Sequence, residues 1–182
     1  IVIRFVSATI GKPNVSVKKD IFVIRHGESR WNDAQSQKNL TGMAKQYDHE
    51  LTQNGIQQAI SFNTRWKESR DKNKKSEDTA IISDIDSFLS ATEIYSSPLT
   101  RAVETCLLTC EDHPLLQDGN TSRIQLLRNL REVKNIGSFD TVGKESGPQI
   151  KKHVYELLSK DMSVQRAGKL LPHNMDHYDA VD

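Results

Sequence analysis

The sequence predicts an α/β fold, a three-layer αβα sandwich, and three stretches carry that expectation. Ile21-Phe22-Val23-Ile24 is an apolar run with the composition of a strand buried on both faces. Leu51 to Trp66 opens with a helix-start signal and continues with apolar residues at helical spacing. Ile94-Tyr95-Ser96-Ser97 reads as a short strand, after which Leu99, Ala102, Val103, Cys106, Leu107 and Cys110 fall on one helical face. Buried strands alternating with one-faced helices build a sheet covered by helices. The expected arrangement puts residues 21–24 at the centre of the sheet, with helices over 52–68 and 98–110 packed on it. A chain of 182 residues suits a single domain, 1–182, that buries about 70% of its unfolded surface.

In chain order, residues 1–6 form a β-branched strand candidate, and Gly11, Pro13 and Asn14 mark a turn before the central strand. At the carboxyl end of 21–24 stands Arg25-His26-Gly27-Glu28-Ser29-Arg30-Trp31-Asn32, where open α/β sheets collect their ligands. A neutral ring nitrogen makes His26 a nucleophile, and Arg25 offers a planar fork of donors suited to phosphate oxygens. Gly27 removes the side chain that would crowd a ligand against the backbone. Residues 33–50 are polar and irregular, the pattern of a long functional or mobile connection.

Thr52 is a good N-cap, Leu51 can staple to the first apolar turn, and Ile56, Ala59, Ile60 and Trp66 define a core-facing stripe. Residues 70–79, opening with the charge run Arg70 to Glu77, are expected as a flexible surface loop. Pro98 suits a first helical position. Arg101 lies off the apolar stripe in the first turn of its helix, beside unpaired backbone N–H groups that favour an anion. Arg123 to Leu127 is a further strand candidate, followed by Leu130-Arg131-Glu132. Residues 148–160 read as an amphipathic helix with Ile150, Val154, Leu157 and Leu158 inward, and 161–182 show neither helix nor strand pattern.

Four blocks between about residues 20 and 135 resemble the histidine phosphatase superfamily, which includes phosphoglycerate mutases and phosphatases. They are Arg25 to Asn32; Leu51-Thr52 with Gly55, Gln58 and Ala59; Ser96-Ser97-Pro98-Leu99 with Arg101, Ala102 and Thr105; and Leu130-Arg131-Glu132. The resemblance implies the phosphoglycerate mutase-like sandwich and catalysis through a phosphohistidine. His26 would be the nucleophile, Glu132 the proton donor, and Arg25, Asn32 and Arg101 the phosphate-binding groups, with no metal and no cofactor. Thr41-Gly42 is similar to a Thr/Ser-Gly pair that mutase-type members hold near the substrate. After Glu132 the run Val133 to Phe139 lacks the Tyr-Gly and basic cluster of the glycolytic mutases, which favours a phosphatase. A phosphomutase is the alternative within the family, and a non-catalytic phosphate-binding or scaffold domain the alternative outside it.

Other classes are disfavoured by composition. A formal net charge of +1 gives no overall field for nucleic acid or an anionic membrane, and no apolar run approaches the ~18 residues that span a bilayer. The resemblance implies a phosphorylated small molecule or a phosphoprotein as partner, and composition argues for no nucleic acid and no membrane, with the oligomeric state unspecified. Cys106 and Cys110, four apart in a helical pattern, read as free core thiols and suit a cytoplasmic location. The resemblance also implies a second active-site histidine late in the chain. His153 sits within a helix pattern, and His173 and His177, around Asp176, lack a third partner for a metal. The expectation is a domain incomplete at its C-terminus.

Overall fold

The structure, a computed structural model, describes residues 3–12, 15–44, 47–73, 85–117, 124–131, 147–161 and 180–181. Strands β1 (Ile3–Lys12) and β2 (Val15–Ile24) form an antiparallel pair, in register from Ile3 opposite Ile24 to Lys12 opposite Val15. A second sheet is parallel, in the order β3 (Ile94–Ser96), β4 (Ile124–Leu127), β5 (Ala180–Val181). The helices among the described residues are α1 (Arg30–Ser36), α2 (Leu40–Ala44), α3 (Gln53–Asn73), α4 (Thr100–Thr109), α5 (Pro114–Gln117) and α6 (Gly147–Asp161), with further helical turns over residues 85–89 and Arg128–Leu130. The mixed α/β class is as expected.

Residues 21–24 depart from the expectation of a central strand buried on both faces. Among the described residues β2 pairs with β1 alone, and Ile21 and Val23 are 43% and 51% exposed. A strand sends alternate side chains to opposite faces, and only the face carrying Phe22 is covered, with its ring edge-on to Phe88 at 5.5 Å. Four consecutive apolar residues do not say whether one face or both will be buried. The parallel pairing forms elsewhere, where Ile124 and Leu126 of β4 are each 1% exposed.

Helix α4 is the hub. Its Val103, Leu107 and Leu108 join Leu51, Ile56 and Ala59 from the start of α3, Leu116, the two β4 residues, and Val154 and Leu158 of α6 in one apolar cluster. The sequence pattern predicts a one-faced helix, yet Thr100, Arg101, Glu104, Thr105 and Thr109 are buried as well. Buried polar groups need partners, and these have them. Thr105 and Thr109 hydroxyls donate to the carbonyls of Arg101 and Thr105, each at 2.7 Å. The Glu104 carboxylate accepts the Leu51 N–H at 2.8 Å, tying α4 to the entry of α3.

Thr52 caps α3 as expected, its hydroxyl accepting the Gly55 N–H at 3.0 Å. Trp66 reaches across to donate from its indole N–H to the Thr109 carbonyl at 3.0 Å, and Lys67 and Asn63 both bond the Asp112 carboxylate at 2.8 Å. The helix runs on to Asn73, through the first residues of the stretch expected as a loop, with Arg70 stacked over Trp66. Residues 74–79 of that stretch lie outside the described residues. Two short helices, α1 and α2, occupy the region expected as irregular. Helix α1 is held by a capping box in which Ser29 and Asn32 bond reciprocally. Seven and five residues are too few for a periodic signal. Strand β5 was not expected either, since two residues carry no alternation. Cys106 and Cys110 are free thiols, and the Cys110 hydrogen bond and burial push the Cys106 thiol well above its ordinary range. No helix among the described residues is long and apolar enough to cross a membrane.

His113 joins the aromatic cluster of Phe22, Phe88 and Trp66, its ring edge-on to Phe88 at 5.0 Å. Nδ1 accepts the Leu115 N–H at 3.2 Å, so the proton sits on Nε2, which donates to the Phe88 carbonyl at 2.9 Å. Burial holds its pKa below the usual 6.5. A depressed folded-state pKa contributes stability that is present above the unfolded value and is lost as pH falls through the folded one. The melting temperature should therefore decline as pH falls below about 6.5. His113→Gln should flatten part of that decline in a thermal scan run from pH 7.5 to 5, and an unchanged slope would count against this assignment.

Candidate active site

The loop after β2 is locked onto the start of α3. Glu28 donates its N–H to the Gln58 side chain at 3.0 Å and accepts the Thr52 N–H at its carbonyl at 2.9 Å. Its carboxylate takes the Thr52 hydroxyl at 2.6 Å and the Asn54 amide at 3.2 Å. Arg30 bonds Glu50 through both backbone, at 2.9 Å, and side chain, at 2.6 Å. Two glycines permit this approach. A Cβ on Gly27 would stand 2.6 Å from the Gly55 carbonyl oxygen, and one on Gly55 would collide with the Glu28 carbonyl. The Leu-Thr-x-x-Gly-x-x-Gln-Ala block therefore does more than open a helix: it is the surface on which the His26 loop is moulded.

His26 is oriented at both ring nitrogens. Nδ1 lies 2.6 Å from the Gly27 carbonyl and Nε2 lies 3.1 Å from Arg101 Nε. Arginine only donates and a carbonyl only accepts, so the proton is on Nδ1 and the lone pair is on Nε2. A backbone carbonyl thus selects the tautomer in which Nε2 carries the lone pair. Arg101 reaches it from the first turn of α4 and is 1% exposed. Thr105 joins the two elements directly, accepting the Gly27 N–H at 3.1 Å while donating to the Arg101 carbonyl.

Of the residues expected at the site, His26 and Arg101 are thus in contact. Arg25 precedes His26 in the chain and is exposed. Asn32 lies on α1, where its amide oxygen accepts the Ser29 N–H at 3.1 Å and the Ser29 hydroxyl at 3.0 Å. Phosphate oxygens accept hydrogen bonds, so any contact from Asn32 falls to its Nδ2 side. Glu132, His173 and His177 lie outside the described residues. Thr41 is exposed on α2, where Gly42 N–H bonds to the Asn39 side chain at 2.9 Å.

Two buried residues before α3 carried no signal in the sequence. Asp48, 5% exposed, accepts the Thr100 N–H at 2.8 Å and the Thr100 hydroxyl at 2.9 Å. Burial raises its pKa above the carboxylate value, against the Thr100 hydrogen bonds and the positive charge of Arg101. His49, 1% exposed, meets the Met43 carbonyl through Nε2 at 3.2 Å and sets its ring edge-on to Trp31. Burial lowers its pKa. A single Asp-His pair in a polar stretch carries no periodicity, and only its packing shows its depth.

Residues 21–76 match the family model described as histidine phosphatase superfamily, branch 1, so the resemblance seen in the sequence stands on that segment. The match covers Arg25, His26 and Asn32 and ends before Arg101. No curated protein and no solved structure matches the chain. Among the described residues no group of three or more His, Cys, Asp or Glu is placed to hold a metal.

Proposed function

With a histidine phosphatase superfamily segment at residues 21–76 as the premise, we propose that the protein is a phosphomonoester hydrolase acting through a phosphohistidine. The observation that carries this reading is the His26 ring, its Nε2 lone pair fixed by the Nδ1 contact to the Gly27 carbonyl and set 3.1 Å from Arg101 Nε. In the first step Nε2 attacks phosphorus in line, the N–P bond forms and the ester P–O bond breaks. The phosphoryl oxygens are held by Arg25, Asn32 and Arg101, whose donors offset the charge that spreads onto them. Substrate then takes over donors of Arg101 that the empty ring occupies. Glu132, protonated, passes its proton to the leaving alkoxide.

In the second step Glu132 as carboxylate takes a proton from water, the water oxygen attacks phosphorus, the N–P bond breaks and inorganic phosphate leaves. Water is preferred to a bound acceptor because Val133 to Phe139 lacks a basic cluster that would grip a bisphosphorylated molecule. The substrate class is a phosphorylated small molecule or phosphoprotein, and a cytoplasmic setting suits the free thiols.

The test uses the full-length protein with p-nitrophenyl phosphate, quenched in base during turnover. An acid-labile, base-stable phosphoenzyme that maps to His26 is the expected result. Label on another residue, or turnover without a phosphoenzyme, would sink the reading. With an alkyl phosphate, whose alkoxide needs a proton to leave, Glu132→Gln should slow turnover by about 10²–10⁴-fold while leaving inorganic phosphate affinity unchanged. A loss of phosphate affinity in that variant would move Glu132 from proton donor to binding group.

A further inference from the structure

Helix α4 begins without a cap of its own. Its N-cap residue is Leu99, and no side chain there bonds the first turn. The first turn leaves several N–H groups without helical partners, and burial makes each one costly. The missing acceptor comes from 52 residues upstream: Asp48 takes the Thr100 N–H with one carboxylate oxygen and the Thr100 hydroxyl with the other. Asp48 itself stands at φ 53°, a left-handed conformation that Asp tolerates better than most side chains. Thr100, 2% exposed, is immediately followed by Arg101. A change in the position of Thr100 is therefore passed along one peptide to the residue that touches the His26 nucleophile.

We propose that Asp48 is a positioning residue for phosphate binding. By capping α4 in trans it fixes the first turn of the helix, and with it the Arg101 guanidinium against His26 Nε2. The proposal rests on the phosphohistidine reading for its consequence in catalysis but not for its geometry. Both Asp48 oxygens accept from Thr100, and the carboxylate also feels the Arg101 charge. The cap also differs in kind from the tie at the opposite end of α4, where Asp112 holds Lys67 and Asn63 of α3.

The experiment compares Asp48→Ala, Asp48→Asn and Asp112→Ala in the full-length protein. Two readouts are used: calorimetric binding of inorganic phosphate, and the imidazole nitrogen resonances of His26 without phosphate. Loss of an N-cap is a factor of about 5–30 in the local equilibrium. Asp48→Ala should therefore weaken phosphate binding by about that factor and shift the His26 Nε2 resonance. Asp48→Asn can still accept the Thr100 N–H and should restore both to within about threefold. Asp112→Ala should lower the melting temperature yet leave both readouts in place, which separates positioning from simple loss of stability.

A His26 resonance unmoved in a folded Asp48→Ala protein overturns the proposal, as does an equal shift in Asp112→Ala. If Asp48→Ala does not fold, a failure of Asp48→Asn to preserve phosphate affinity and the His26 resonance overturns it, and preservation of both supports it. If the parent protein binds no phosphate, the functional reading fails while the resonance comparison still decides the role of Asp48.

Discussion

His26→Ala is expected to abolish phosphoenzyme formation completely, and turnover of p-nitrophenyl phosphate with it. The ring nitrogen is the only protein atom that the mechanism bonds to phosphorus, so no neighbouring group compensates. The loss should reach the detection limit, as when the nucleophile of a covalent mechanism is removed. Phosphate binding should survive, since Arg101 keeps its place through the Thr105 bond to Gly27 and the Asp48 cap. Removing the imidazole even relieves Arg101 of one acceptor, so phosphate affinity should stay within a few-fold of the parent. Trapping with base quench and calorimetry with inorganic phosphate check the two halves. Residual phosphoenzyme in His26→Ala would assign the nucleophile to another residue.

Gly55→Ala should destabilise the folded protein by about 3 kcal/mol, the upper end of what overpacking costs. The sign is diagnostic. Gly55 lies in the first turn of α3, and a glycine replaced by alanine in a helix ordinarily gains up to about 1 kcal/mol. Here the added Cβ meets the Glu28 carbonyl, nitrogen and carbonyl carbon, all backbone atoms that cannot swing aside. Relief requires the His26 loop to move off α3, which breaks the Thr52 bonds to Glu28 and the Glu28 bond to Gln58. Urea denaturation measures the stability change. A stabilised Gly55→Ala would show that loop and helix are not in contact as described. Of a total stability of about 5–15 kcal/mol, such a loss leaves little margin, and turnover should fall with the population of correctly placed His26.

The helices over 53–73, 100–109 and 147–161 lie close to where periodicity and capping signals put them, and Trp66, Val103, Leu107, Val154 and Leu158 are buried as their spacing implies. Those elements were legible because each is long enough for a 3.6-residue repeat to stand out. The site was legible in part. Arg-His-Gly after a strand singled out His26 as the candidate nucleophile, and it lies within the family match over residues 21–76. Arg101 could be named from its block, although its near-complete burial reverses what an arginine beside an apolar stripe usually means. Its depth follows from the all-round burial of α4, which depends on elements distant in sequence.

Sequence by itself determined the mixed α/β class, the positions of the three long helices, the free thiols and a histidine flanked by an arginine at the end of a strand. Those properties are set by local spacing and side-chain chemistry. Tertiary structure decided which face of residues 21–24 is covered, which His26 nitrogen holds the lone pair, and that Asp48 caps a helix 52 residues away. Each of these depends on which donor meets which acceptor across the fold. The cost of leaving a buried polar group unpaired is felt only once packing has excluded water, and packing is a property of the whole chain.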